Sequence, residues 1–237
     1  MKQRSILLAF VLGMCGCRHG AAPPASSGTA TGAALVLVSG DKQLARIGAR
    51  LDQPLLVQVN DAQGTAVPNA SVSFSGPPGV KFDPISGVTD SSGQLPSQVS
   101  APGASGHFQV VASTNGGKVR LSTDEIALGY EEALGQQLNA KYCARCHDPE
   151  STPERVSNMD NLDPKPHPFT EGDTFNKISD ADLISVISHG GVALNKSAAM
   201  PPFGYTLSKS DLQALAGYIR EVADPPYRAP VGRNANK

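Results

Sequence analysis

The pentapeptide Cys143-Ala144-Arg145-Cys146-His147 constrains this chain more than any other feature. The C-x-x-C-H pattern is the attachment site of a c-type haem. Each thiol can add to a haem vinyl group as a thioether, and the histidine that follows is then held under the iron. Two other readings of the same residues exist. A C-x-x-C redox pair belongs at a strand-to-helix turn in a βαβ context, but the residues before Cys143 predict a helix. A zinc site needs further Cys or His ligands at metal spacing, and no other cysteine lies in this half of the chain.

The N-terminus predicts a targeting segment rather than part of the fold. Lys2 and Arg4 precede an apolar run from Ile6 to Leu12, which is too short to span a bilayer as a helix. The run ends in Leu12-Gly13-Met14-Cys15-Gly16-Cys17, which resembles a bacterial lipobox. By that resemblance residues 1–16 are a lipoprotein signal peptide and Cys17, preceded by a small residue, is lipidated. Cys15 is the alternative, and an ordinary cleaved signal peptide is a further one. All three predict export, and Arg18 after the favoured cysteine, where an Asp would resemble an inner-membrane retention signal, points to the outer membrane. The four cysteines are then accounted for by leader, lipid and haem, with none left for a disulfide.

Charge divides the chain. Residues 18–122 carry 7 Lys/Arg and 5 Asp/Glu, whereas residues 123–237 carry 11 and 16. The whole is close to neutral, at −1, so nothing global points to nucleic acid. The excess of five acids in the second half hints at a redox protein partner with a basic patch.

Residues 17–32, rich in Ala, Pro, Ser, Gly and Thr, predict a flexible tether. Residues 33–122 predict an all-β sandwich. Runs such as Leu55-Leu56-Val57-Gln58-Val59 and Ala70-Ser71-Val72-Ser73-Phe74 alternate in polarity. Turn signals such as Asp61-Ala62-Gln63-Gly64 and Asp90-Ser91-Ser92-Gly93 separate them. The pattern Val57-x-Val59-x-Asp61-x-x-Gly64-x-x-Val67-Pro68-x-Ala70-x-Val72-x-Phe74, followed by Thr89-Asp90-x-x-Gly93, resembles the bacterial Ig-like repeats of the invasin/intimin type. That resemblance implies a spacer or docking module. His107 precedes a strand with no partner cluster near it and reads as structural or solvated.

From residue 123 helical spacing replaces alternation, with Ala127, Leu134 and Leu138 on one face leading to the haem motif. Residues 148–178 predict mostly loop. Helices are predicted to start at Ser179-Asp180-Ala181-Asp182 and Ser208-Lys209-Ser210-Asp211. The first ends at Gly190-Gly191 and the second at Asp224-Pro225-Pro226. A polar tail, 227–237, follows.

A low-spin haem takes a second axial ligand, usually Met or His. Met200, in Ala199-Met200-Pro201-Pro202-Phe203-Gly204, is the favoured candidate, because prolines stiffen the loop that would hold its sulfur. Met159 reads as core filler. His167 and His189 are rival sixth ligands that read as surface or haem-edge residues.

At this point the C-terminal half resembles class I cytochrome c. Gly135 stands eight residues before Cys143, then come C-A-R-C-H, a helix ending in Gly190-Gly191, M-P-P-F-G, and L-S-x-x-D-L-x-x-L-x-x-Y-I. The resemblance spans about 131–223. It implies an all-α fold over 123–226 around one haem c with its iron, and N- and C-terminal helices crossing at Gly135 near Leu215, Tyr218 or Ile219. Asn139 stands where the family often has an aromatic, which implies a looser crossing. The combined expectation is a multi-domain lipoprotein whose haem is bound through Cys143 and Cys146 and ligated by His147 and Met200. Its role is single-electron transfer, alone or as the haem subunit of a larger dehydrogenase or oxidase complex. The hydrogen-bond acceptor for His147 is expected near Pro153. A ligand-binding or peroxidase haem is the remaining alternative.

Overall fold

The computed structural model describes residues 32–153 and 155–228. The expected signal peptide, both candidate lipidation sites Cys15 and Cys17, most of the expected tether and most of the tail lie outside them. Nine strands come first: β1 (Ala34–Ser39), β2 (Leu44–Arg46), β3 (Leu55–Asn60), β4 (Ser71–Ser75), β5 (Lys81–Asp83), β6 (Ser86–Val88), β7 (Gln94–Ser100), β8 (Gly106–Thr114) and β9 (Val119–Leu128). They form two sheets, ordered β1-β3-β7-β5 and β2-β9-β8-β4-β6. Every pairing is antiparallel except β2 with β9.

Alternation builds the sandwich. Leu55, Val57 and Val59 of β3 face Val72 and Phe74 of β4 and Phe108, Val110 and Ala112 of β8 across one apolar core. The two Asp-x-x-Gly turns fold by the same chemistry. Asp61 Oδ1 accepts from the Gln63 and Thr65 amides, and Asp90 Oδ1 from those of Ser92 and Gln94. Gly64 and Gly93 supply the positive φ that closes each turn. β7 contains Pro96, whose ring leaves the strand one amide short. β5 pairs only with residues 98–100 of β7, so the missing amide of Pro96 lies beyond that ladder.

The predicted boundary at 122/123 is corrected. β9 continues to Leu128, and Ala127 is a strand residue packed in the sandwich core rather than on a helix. The cause is burial on both faces. Even-numbered Ile126 and Leu128 face away from the sandwich and join the apolar core of the helical half, while Ala127 faces inward. A strand buried on both sides loses its alternation and reads as a continuous apolar run.

Five helices follow: α1 (Tyr130–Leu138), α2 (Ala144–His147), α3 (Gly172–Phe175), α4 (Asp180–His189) and α5 (Lys209–Glu221). The predicted starts are present. Ser179 Oγ accepts from the Asp182 amide to cap α4, and Ser208 with Asp211 forms a full capping box on α5. α4 stops at Gly190, whose φ is 83°.

α1 crosses α5 at Gly135. A Cβ there would sit within 2.1 Å of the Ala214 carbonyl oxygen and 2.7 Å of Tyr218 Cβ, so the backbones touch. The looser crossing implied by Asn139 is not found. Asn139 Nδ2 instead reaches Tyr218 Oη at 3.5 Å. Arg220, invisible to periodicity, is buried on α5. It donates to the carbonyls of Phe175 and Ile178 at 2.6 Å each and pairs with Asp180, tying the last helix to α3 and α4.

Candidate haem site

Between these helices lies a cavity of about 720 Å³, within the ~300–1,000 Å³ common for small-molecule and cofactor sites. α1 runs into a single π-turn over Asn139–Cys143, and α2 then carries Ala144–His147. This places Tyr142, Cys143, Cys146 and His147 on the cavity wall. α4 contributes Leu183, Val186 and Ile187, and α5 contributes Leu215 and Ile219.

The loop before α5 brings Met200 to the same cavity. This loop is pinned to the end of α4. The Gly191 amide donates to Met200 O, Phe203 N to Ile187 O and Gly204 N to Ser188 O. The last two bonds also occupy α4 carbonyls, of Ile187 and Ser188, that a helix end otherwise leaves unpartnered. A Cβ on Gly190 would stand 2.9 Å from Met200 O, so the close approach of this loop requires glycine.

His147 Nδ1 lies 2.8 Å from the backbone oxygen of His167. A carbonyl only accepts, so Nδ1 carries the proton and the lone pair is on Nε2, the form an imidazole needs to ligate a metal. The expected acceptor near Pro153 is thereby corrected to His167. Burial holds His147 below the ordinary histidine pKa, which favours the neutral ring, and the hydrogen bond to His167 only partly opposes this. The ring stacks on Phe169 at a centroid distance of 4.5 Å, and Phe169 meets Phe175 edge-on.

Burial pushes the Cys143 thiol up to about 12, with Cys146 adding to the effect. A nucleophilic redox pair has the opposite tuning, because its thiolate must be favoured. Among the described residues no group of three or more His, Cys, Asp or Glu side chains is arranged to hold a metal ion by itself. The site fits a haem c instead: an apolar cavity, two free thiols and a neutral imidazole on one wall, and a thioether on a loop beside it.

The remaining candidates fall elsewhere. Met159 is buried in a short 3₁₀ turn and is not part of the cavity wall. His189 Nδ1 lies 3.1 Å from Ser185 O, outside the wall. His167 lines the cavity, but its carbonyl is bonded to His147 and its Nδ1 pairs with Glu171 at 2.8 Å. It therefore stands behind His147. Sequence reasoning missed Arg155, which donates to Ala144 O and Asp148 Oδ2 and straps the following loop onto α2. The charged side chains lining the cavity, apart from histidine, are Arg145, Lys165 and Lys196, all cationic. Two of the cavity's basic residues have carboxylates beside them: Lys165 pairs with Asp160 and His167 with Glu171.

Residues 131–219 match the family described as cytochrome c oxidase, cbb3-type, subunit III. No curated protein matches the chain. Solved structures that it resembles include the Yersinia pseudotuberculosis adhesin InvE, at 20% identity and TM-score 0.34 over 40% of this chain and 31% of that one. The D00-D0 domain of intimin gives 20% identity and TM-score 0.34 over 43% and 50%. Invasin, described as a bacterial integrin-binding protein, gives 21% and 0.33 over 40% and 19%. The chain spans half or less of each of these. It is a two-domain protein in which residues 131–219 are a class I c-type cytochrome domain, a haem c carrier for electron transfer, preceded by a two-sheet β-sandwich.

Proposed function

We propose that this protein is a membrane-anchored lipoprotein that passes single electrons through a His/Met-ligated haem c on the periplasmic side or at the outer membrane, with its Ig-like half as spacer. Bound at this site, haem c supplies a one-electron ferric/ferrous couple. Cys143 and Cys146 would hold it through thioethers, and His147, through Nε2, and Met200, on the loop before α5, would be the residues that ligate it. The observation that carries the reading is the meeting of the C-x-x-C-H wall and the Met200 loop on one apolar cavity. The His147 hydrogen bond fixes the ring and raises its basicity. The apolar wall excludes water, and a thioether on the iron raises the potential. Lipidation of Cys17, or of Cys15, is supported by the sequence alone.

Arg145, Lys165 and Lys196 at the cavity favour a redox partner with an acidic patch, in place of the basic one suggested by net charge. The family match favours a second reading, in which this domain is the haem subunit of a larger membrane-associated oxidase or dehydrogenase. Purification from detergent-solubilised membranes separates the two: a stable complex supports the subunit, a monomer the free carrier. The ligand set is tested by the absorption spectrum of the oxidised protein. The long-wavelength band of methionine–haem ligation is expected, with its loss and a lower reduction potential in Met200→Ala. A wild-type spectrum without that band, or rapid carbon monoxide binding by the ferrous protein at neutral pH, removes Met200 from the assignment.

A further inference from the structure

We infer that the Ig-like half is not a loosely strung spacer but a rigid platform that fixes the orientation of the haem domain. The inference concerns how that spacer is joined, and it stands whichever residue is the sixth ligand.

Three attachments converge. The first is covalent. Gly129 alone separates β9 from α1, and its carbonyl accepts the first helical hydrogen bond, from Ala133 N. Domains that move independently are usually joined by exposed linkers that few contacts cross, and no such segment exists here.

The second is a shared core. Ile126 and Leu128, on the outer face of β9, are buried in the same apolar cluster as Leu183, Leu215 and Ile219 of the helices, with Leu44 of β2 packed against it. Leu128 is fully buried. β9 therefore serves two cores at once, and separating the halves would expose the outer one.

The third is polar. His107, on the outer face of β8, uses both ring nitrogens at the junction. Nδ1 lies 2.7 Å from Asp124 Oδ2, and Nε2 donates to Glu221 O at 2.8 Å. The carbonyl of Glu221 belongs to the last turn of α5, where helix carbonyls have no partner of their own. A side chain of the sandwich thus caps the terminal helix of the cytochrome. Of the two expectations for His107, structural or solvated, its two hydrogen bonds fit the first, and its role is that of a clasp.

No residue of the sandwich lines the haem cavity. The platform grips the β9, α1 and α5 side and leaves the cavity wall to residues 142–219. The haem face consequently has a fixed direction relative to the Ig-like half.

The test is ¹⁵N relaxation of the full-length holoprotein in detergent or as the unlipidated mature chain. Equal rotational correlation times for amides in 33–128 and in 130–223 are expected. Distinct, shorter times for the two halves overturn the proposal, and the ligand spectrum described above is unaffected by that outcome. His107→Ala gives a second measurement. In the wild type the far-ultraviolet and Soret unfolding midpoints are expected to coincide, and in the variant to separate. Coincident midpoints in a folded variant remove His107 from the clasp, and separate midpoints in the wild type remove the platform. Should the variant not fold, the wild-type relaxation decides alone.

Discussion

Glu125 is the most exposed to test of the structure's electrostatic features, because it is fully buried in the sandwich and only half satisfied. Oε2 accepts the Gln43 amide at 2.6 Å, whereas Oε1 has no hydrogen-bond partner, and neither has Thr123 Oγ1. Burial is the main cause that lifts its pKa from 4.5 to about 7, with the nearby charges of Asp41 and Asp124 adding to it. The folded state therefore prefers the neutral acid. Its contribution to stability is complete below pH 4.5, declines as the pH rises, and is gone above about 7. A lift of that size corresponds to roughly 3 kcal/mol at 1.36 kcal/mol per pH unit. Glu125→Gln keeps an acceptor for Gln43 and is neutral at every pH. Urea unfolding followed by far-ultraviolet circular dichroism from pH 4 to 8 should show the two proteins converging at the acid end. They should diverge to about 3 kcal/mol in favour of the variant at pH 8. A constant offset across that range would mean that Glu125 does not titrate in the folded protein, and the reasoning from its burial would fail.

Three further outcomes follow from the packing. Leu128→Ala, in a strand of the sandwich, should destabilise the haem domain by about 2–5 kcal/mol, read as a lower Soret unfolding midpoint. Gly135→Ala forces a methyl group against the Ala214 carbonyl at the α1–α5 crossing; it should cost at least about 1–3 kcal/mol in denaturant unfolding of the holoprotein. Arg220→Met strands the carbonyls of Phe175 and Ile178 and should cost about 1–3 kcal/mol for each, measured by thermal melting.

The elements that local chemistry specifies were legible in advance. The C-x-x-C-H pentapeptide, the Asp-x-x-Gly turns, the Ser179 and Ser208 caps and the strands with one wet face each carry their signal within a few residues. What was not legible depends on residues far apart in the chain. Ala127 read as helical because β9 is covered on both faces, and only the fold reveals the second cover. His107 and Arg220 are lone polar residues whose acceptors, backbone carbonyls at Glu221 and at Phe175 and Ile178, leave no trace in sequence. The same holds for the bond from His147 to the carbonyl of His167, twenty residues away. Met200 was legible as a candidate because two prolines follow it, but the three amide bonds that pin its loop to the end of α4 and to Gly191 were not.

The bond from His147 has a consequence for how this site can vary. Its acceptor is a peptide oxygen, which every amino acid possesses. Mutation at position 167 can remove the imidazole and its pairing with Glu171 without deleting the acceptor. Only a change that moves the chain can break the bond, and Pro166 and Pro168, each with φ fixed by its ring, restrict such movement on both sides. The orientation of the His147 ring is thus insulated from substitution at 167, and tolerance is expected there alongside intolerance at its two neighbours.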